Sequence, residues 1–326
     1  MINFVDAISI VIPMKNEEST IAELLNSIAS QSTKPSEVII VDGGSTDRSL
    51  EIAYSFKGRI EALRIYETSG AFPGIGRNIG VDLSNSPWIA FTDCGVVLSE
   101  EWLHGFVKLI QGESNFDILR GESKPMVASS TSAAIYCVSN RGRNDVSGNI
   151  KYGSFVSVAV ARDCWRRIGG MSNLRAGEDL EFWEKANELN CSIAESNSSV
   201  AYWRPPETYV EQFKKTLLYS TSNWTSGRRK QWHYGLLRQY LLIGILSVFA
   251  RGLRLKKSSI CSGWIISRAA TYWKRNREDL ENFNYNFAVL LGKIVFAILV
   301  NDLGVILGVF KKYTDDGRQL LGGKRL

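Results

Sequence analysis

Three short apolar runs, each ending on a polar loop, govern what this chain can fold into. "ISIVIP" (Ile8–Pro13) leads into "MKNEES", "SEVIIVD" (Ser36–Asp42) into "GGSTD", and "WIAFTD" into "CG". Apolar runs of about four to eight residues bounded by turn signals read as strands buried on both faces. Between them the spacing turns helical. "STIAELLNSIAS" places Ile21, Leu24, Leu25 and Ile28 on one face, with Ser19 and Thr20 as candidate caps. "STDRSLEIAYSF" predicts a second helix starting from Ser45 or Thr46, "LRIYET" a third strand, and "GIGRNIGVDLSN" a turn into a third helix. This β-α-β-α order predicts an α/β fold with a mostly parallel sheet flanked by crossover helices. Ligands on such sheets lie beyond the carboxyl ends of the strands, where these polar loops converge.

After Leu98 the pattern loosens. "EEWLHGFVKLI" predicts a short helix, and "FDILRGES" and "SFVSVAVARDCW" predict strands, the second antiparallel in a mixed sheet. "GEDLEFWEKANEL" opens a helix with acids in its first turn, and "CSIAESNSSVAYW" closes the sheet. The N-terminus reads as a first strand rather than a signal peptide, because it lacks a basic stretch and a cleavage site. At 44% hydrophobic and 22% charged residues the chain is globular rather than disordered. Its five cysteines are scattered without C-x-x-C spacing, which argues against a zinc site and a secreted disulfide framework and fits a reducing, cytoplasmic setting.

The net charge of +6 conceals an asymmetry. Lys and Arg outnumber Asp and Glu by 21 to 8 from Arg204 onward, and are outnumbered 18 to 25 before it. With two prolines in "WRPPETY", the boundary falls between residues 1–205 and a basic, apolar, helical region 206–326. Such a basic tail suits nucleic acid, polyphosphate or an anionic membrane. "YLLIGILSVFA" (Tyr240–Ala250) is too short to cross a bilayer. Phe287–Phe310 is long enough, but Lys293, Asn301 and Asp302 would be costly at mid-bilayer, which favours core or interfacial packing over a span.

Chemistry concentrates at the loops. The second strand delivers Asp42 to the rim, and Gly43 and Gly44 permit a tight turn before the next helix. A carboxylate there can hold a base edge or a ribose, or simply belong to a capped helix start. The Gly74-x-Gly76 pattern does not follow the first strand, so it is not a dinucleotide fingerprint. Arg77 and Asn78 begin a helix on the same rim, where they can meet phosphate or base. Asp93 ends the strand "WIAFTD" and is followed by Cys94 and Gly95, with no second acid.

"SIVIPMKNEESTIAELLNSI", "EVIIVDGGSTDRS", "GIGRNIG", "WIAFTD" and "IGGM…GEDLEFWEKA", in this order and spacing, resemble glycosyltransferase family 2 over roughly residues 7–205. The resemblance implies a GT-A fold, Rossmann-like with a mixed sheet, and an inverting enzyme that uses a nucleotide-sugar donor. It implies that Pro13, Glu17 and Asp42 surround the nucleoside, with Gly44 in the same turn, and that Arg77 lies near the base or diphosphate. It implies further that Asp93 is the first acid of a D-x-D metal motif for Mg²⁺ or Mn²⁺, and that Asp179 is the general base with Glu178 in support at the acceptor site. Gly169 and Gly170 match the turn before the acceptor side.

The chain departs from the family at Asp93-Cys94-Gly95, because a thiol is a poor ligand for a hard cation. Either Asp93 binds the metal alone, or basic side chains share the charge. Candidates are Arg204 and the run Arg228, Arg229, Lys230, which equally reads as a solvated charge run. Most tryptophans read as core. Trp183, one turn after Asp179, is the aromatic candidate for the acceptor site. The expected partners are a nucleotide-sugar donor, a glycan or lipid-linked acceptor and an anionic membrane surface at its cytoplasmic face, with no nucleic acid. A nucleotidyltransferase is the alternative enzyme, although "PMKNEEST" is acidic where it would need a basic glycine-rich loop. A non-catalytic GT-A-like binding protein is the alternative without chemistry.

Overall fold

The computed structural model describes residues 8–112, 115–139, 154–174, 176–225, 233–242 and 257–320. Its elements run β1 (Ile8–Met14), α1 (Ile21–Ala29), β2 (Glu37–Asp42), α2 (Ser49–Ser55), β3 (Leu63–Glu67), α3 (Pro73–Leu83), β4 (Trp88–Phe91), β5 (Val96–Leu98), α4 (Trp102–Ile110) and β6 (Ile118–Pro125). They continue with α5 (Ser130–Ser139), β7 (Val158–Ala161), α6 (Arg162–Ile168), α7 (Glu178–Glu188), β8 (Ile193–Trp203), α8 (Tyr209–Thr225), α9 (Lys257–Asn276) and α10 (Phe287–Leu320).

The chain divides into two units: Met1–Met126 with Ile150–Arg204, and Val127–Asn149 with Pro205–Leu326. The cut after Arg204 lies one residue from the boundary expected at 205/206. Val127–Asn149, which the sequence placed with the first region, belongs with the tail. The reason is local: α5 buries Ala133 through Cys137, the Tyr136 hydroxyl donates to Asp279 at 2.6 Å, and Asn276 Nδ2 donates to the Cys137 carbonyl at 3.2 Å.

The first unit is an eight-stranded mixed sheet in the order β3-β2-β1-β4-β7-β6-β8-β5. β1 through β4 are parallel, and β7 pairs antiparallel with β4 as its sequence predicts. The alternation of side chains explains why the runs are apolar throughout. Ile8, Ile10, Ile12, Val38 and Ile40 face one core, with α1 and α4. Val11, Ile39, Val41 and Phe91 face the other, with α6 and α7. A strand covered on both faces has no polar side to show. The chain leaves β1 toward β2 on one side and β4 lies on the other. The switch point is therefore at the carboxyl ends of β1 and β4, where a crevice opens on this kind of sheet.

Three local expectations change. α2 starts at Ser49, not at Ser45 or Thr46, because those residues are held outside the helix: the Ser45 amide donates to Asp42 and the Thr46 amide to Asn16 Oδ1. The predicted strand through Trp165 ends at Ala161 and becomes α6, with Arg162 donating to the carbonyls of Val81, Ser84 and Ser86. β5, only three residues long, has no periodicity to read.

The glycines of "GIGRNIG" let α3 press onto the sheet. A Cβ on Gly80 would sit 2.3 Å from Val11 Cγ1, and one on Gly76 3.1 Å from Pro13 Cβ. Gly80→Ala normally gains about 1 kcal/mol of helix propensity. Here Val11 is fully buried and cannot rotate away. The clash outweighs the propensity, and we expect a net loss of about 1–3 kcal/mol, read as a lower urea midpoint with an unchanged slope.

Candidate active site

The loops after β1 and β2 are tied to each other. The Asn16 amide donates to Ser45 Oγ at 2.9 Å and the Glu17 amide to Ser49 Oγ at 2.6 Å, while Asn16 Oδ1 accepts from the Thr46 amide at 2.8 Å. Asn16 holds a positive φ of 56°, a strained choice for a residue other than glycine that this lacing maintains. Asp42 is buried and closes its own turn, with Oδ2 accepting from the amides of Gly44 and Ser45 at 3.0 and 2.9 Å. Gly44 takes φ +89°, and a Cβ on Gly43 would lie 2.6 Å from the Ala71 carbonyl oxygen. Asp42 thus shapes the rim as a brace, and its carboxylate is not presented to a ligand.

Arg77 is the centre of a cluster of charged side chains at these strand ends. It is 3% exposed, because the glycines on either side of it let α3 sink into the sheet. Its guanidinium donates to Asp93 Oδ1 at 2.6 Å and to Glu178 Oε1 at 3.2 Å, and lies 5.4 Å from the centroid of the Phe155 ring. One buried cation therefore bridges the end of β4 to the start of α7. Asp93 keeps about a third of its side chain exposed.

Asp179 follows Glu178 in the first turn of α7 and is half-buried. Burial pushes its carboxyl up to about 6, helped by the neighbouring Glu178 and Asp93 charges and opposed by the Leu180 amide and by Arg77. Glu17 is also raised: burial dominates, the Thr20 hydroxyl opposes, and Asp93 and Asp47 add repulsion. Cys94 points its sulfur at the Pro13 carbonyl, 3.8 Å away, and burial drives its thiol well above the ordinary range. It is a neutral filler, not a ligand.

The structure gathers Glu17, Arg77, Asp93, Glu178 and Asp179 and reassigns others. Glu178, expected at the acceptor, is buried against Arg77. Asn78, expected to meet phosphate or base, instead exchanges two hydrogen bonds with the Met171 backbone, at 2.8 and 2.9 Å, and so anchors the Gly169–Gly170 turn, both of whose glycines have positive φ. Trp183 is 1% exposed, packed 5.8 Å from Phe155 and 5.9 Å from Phe182. That face of α7 is a core face, so Trp183 backs the site and cannot stack on a sugar. Arg204 is committed to Glu23 on α1 by two hydrogen bonds, one of 3.1 Å. Pro13 lies half-buried at the rim against Gly76. Arg228 and Arg229 lie outside the described residues. Asn16, Ser45 and Ser49 were missed by sequence reasoning. The signal was the pairing of "KNEES" with "STDRS", two loops rich in short polar side chains at adjacent strand ends.

Residues 9–155 match the family model for glycosyl transferase family 2. Over these residues the chain is similar to glycosyltransferase family 2. Its mixed sheet with helices on both faces is the GT-A architecture that the resemblance implied. Glycosyltransferase AglE of Haloferax volcanii is 26% identical over 216 residues, 64% of this chain and 70% of that one. Poly(ribitol-phosphate) beta-N-acetylglucosaminyltransferase TarS of Staphylococcus aureus is 31% identical over 115 residues, 34% of this chain and 20% of TarS. Poly(ribitol-phosphate) beta-glucosyltransferase of Bacillus spizizenii is 34% identical over 122 residues, 35% and 19% of the two chains. The match thus spans about a fifth of the length of the latter two relatives. The family 2 match ends at residue 155, so Glu178 and Asp179 lie beyond it and join the site through Arg77.

Proposed function

We propose that this family 2 enzyme transfers one sugar from a nucleoside diphosphate donor to an acceptor hydroxyl by a single, inverting displacement, with Asp179 as general base. The observation that carries the reading is the cluster at the β1/β4 switch point, where Asp93 and Asp179 flank a buried arginine. The acceptor oxygen attacks the anomeric carbon as Asp179 takes its proton. The bond from that carbon to the phosphate oxygen breaks, and its electron pair leaves with the diphosphate. A base whose carboxyl sits near 6 is ionised at neutral pH yet basic enough to accept a proton. The loops holding Pro13, Glu17 and Gly44 are the place for the nucleoside, by family resemblance. AglE and TarS, named as glycosyltransferases, support the reaction class. A lipid-linked or cell-surface glycan as acceptor is supported by the basic, apolar tail.

Charge decides what else the leaving group needs. Asp93 repels both Glu17 and Asp179, and Arg77 is already shared between two carboxylates. Among the described residues, no group of three or more His, Cys, Asp or Glu side chains could hold a metal. A resident, all-protein ion site is therefore not what these residues build. Asp93 can supply one ligand to a Mg²⁺ or Mn²⁺ whose other ligands come from diphosphate and water, and the ion would neutralise charge on the leaving group. We expect Mn²⁺ to bind weakly without nucleotide and at least about tenfold more tightly with a nucleoside diphosphate present. Titration calorimetry on wild type and Asp93→Ala checks this; equal affinity with and without nucleotide would contradict it. The reading as a whole is tested by a panel of nucleotide sugars, following release of nucleoside diphosphate. A wild-type protein inactive with every donor, with or without Mn²⁺, would overturn the transfer reading.

A further inference from the structure

The second unit is built the wrong way round for water. α8 buries Gln212, Thr216 and Ser220, and α10 buries Asp302, which accepts from Arg268 at 2.6 Å and from the Tyr240 hydroxyl at 2.9 Å. The outward face of α10 carries Val289, Phe296, Leu299, Leu303, Ile306 and Phe310, from 42% to 61% exposed. At 100° per residue these six fall within about a 100° arc, while Ile294, Ala297, Ile298 and Val305 face inward. The two helices pack by small residues. A Cβ on Gly304 would meet Thr216 at 3.0 Å and one on Gly308 would meet Ser220 at 2.5 Å. Ser220 Oγ donates to the Val305 carbonyl at 2.7 Å, and Gln212 Nε2 to that of Ala297 at 3.0 Å. Small residues at the contact, polar side chains turned inward and large apolar ones turned outward make up the pattern of helices whose surroundings are lipid.

Register decides how α10 meets that lipid. Gln212 lies beside Ala297, Thr216 beside Asn301 and Ser220 beside Val305, so the helices run parallel with a constant offset. Lys214 and Lys215, both exposed, then fall level with Leu299 and Val300, the middle of the apolar stretch Phe287–Phe310. A perpendicular span would put two ammonium groups at mid-bilayer. We infer that α10 lies in the plane of an anionic bilayer surface, its Phe296–Phe310 stripe sunk below the headgroups, with α8 on the solvent side. The excess of 21 basic over 8 acidic residues from Arg204 onward supplies the complementary charge and selects lipid over a neutral protein partner. The inference deepens the membrane-facing part of the proposed function and is independent of the transfer chemistry.

Flotation of the full chain with vesicles tests it, using phosphatidylcholine alone or mixed with phosphatidylglycerol. The wild type should float with the anionic vesicles and much less with the neutral ones. Phe296→Glu with Leu303→Glu should lower the floated fraction at least about tenfold, with the circular dichroism spectrum and donor hydrolysis unchanged. Nitroxides on Leu299→Cys and Phe310→Cys, with exposed Cys261→Ser, should report equal depth. A wild type that stays unbound, or a variant that still floats, overturns the inference. So does a lipid-free dimer dissolved by the two glutamates, which assigns the face to a second copy. A difference in depth near the 16 Å or so that a perpendicular helix gives over eleven residues overturns the in-plane placement. Flotation without donor hydrolysis in the wild type would sink the transfer reading alone.

Discussion

Asp179→Asn is expected to lower turnover of the preferred donor by about 10²–10⁴-fold, the usual contribution of a positioned general base. Two further readouts separate this from collapse of the fold. For wild type, kcat/KM should fall about tenfold per pH unit below about 6, because the base is protonated there, and level off above it. In the variant this limb should vanish. Stability should move the other way. The Asp179 carboxyl titrates higher in the folded chain than its ordinary 3.8, so the folded state binds the proton more tightly. Wild type therefore loses stability as pH rises through the window from about 4 to about 6, and the loss persists above it. An amide carries no charge to desolvate and still accepts from the Leu180 amide, so Asp179→Asn should be more stable than wild type at pH 8 by about 1–3 kcal/mol. Thermal unfolding at pH 8 and pH 4 checks the sign.

Arg77→Met should have the largest effect on stability. Its guanidinium is buried and shared by Asp93 and Glu178. Removing it leaves carboxylates without their counter-charge, of which Glu178 is buried, and breaking a buried pair in this way costs about 3–5 kcal/mol. Arg77→Lys should fall between, because an ammonium cannot fork to two partners in the guanidinium's fixed geometry. Denaturant titrations test both variants, and an Arg77→Met as stable as wild type would count against the shared-charge account.

How far the chain could be read without coordinates depends on the range of the forces involved. β1 and β2 were legible because a strand buried on both faces must be apolar at every position, and α1 because Ile21, Leu24, Leu25 and Ile28 repeat at helical spacing. β5 was not, since three residues after a turn have no period. Asp93 and Asp179 were singled out through family resemblance. Their relationship was not legible, because it passes through Arg77, whose partners lie 16 and 101 positions away. An arginine among glycines looks like a ligand-binding residue. Those same glycines allow it to be buried instead. Trp183 shares its helix with Asp179, yet helical spacing alone could not say that the face carrying Phe182 and Trp183 turns toward Phe155.

The most direct test of the central claim is the configuration of the sugar released. Proton NMR during turnover of an α-linked nucleoside diphosphate sugar, read before mutarotation, should show the β anomer first, with either water or the acceptor as nucleophile. The α anomer as first product would mean net retention and would contradict a single inverting displacement driven by Asp179.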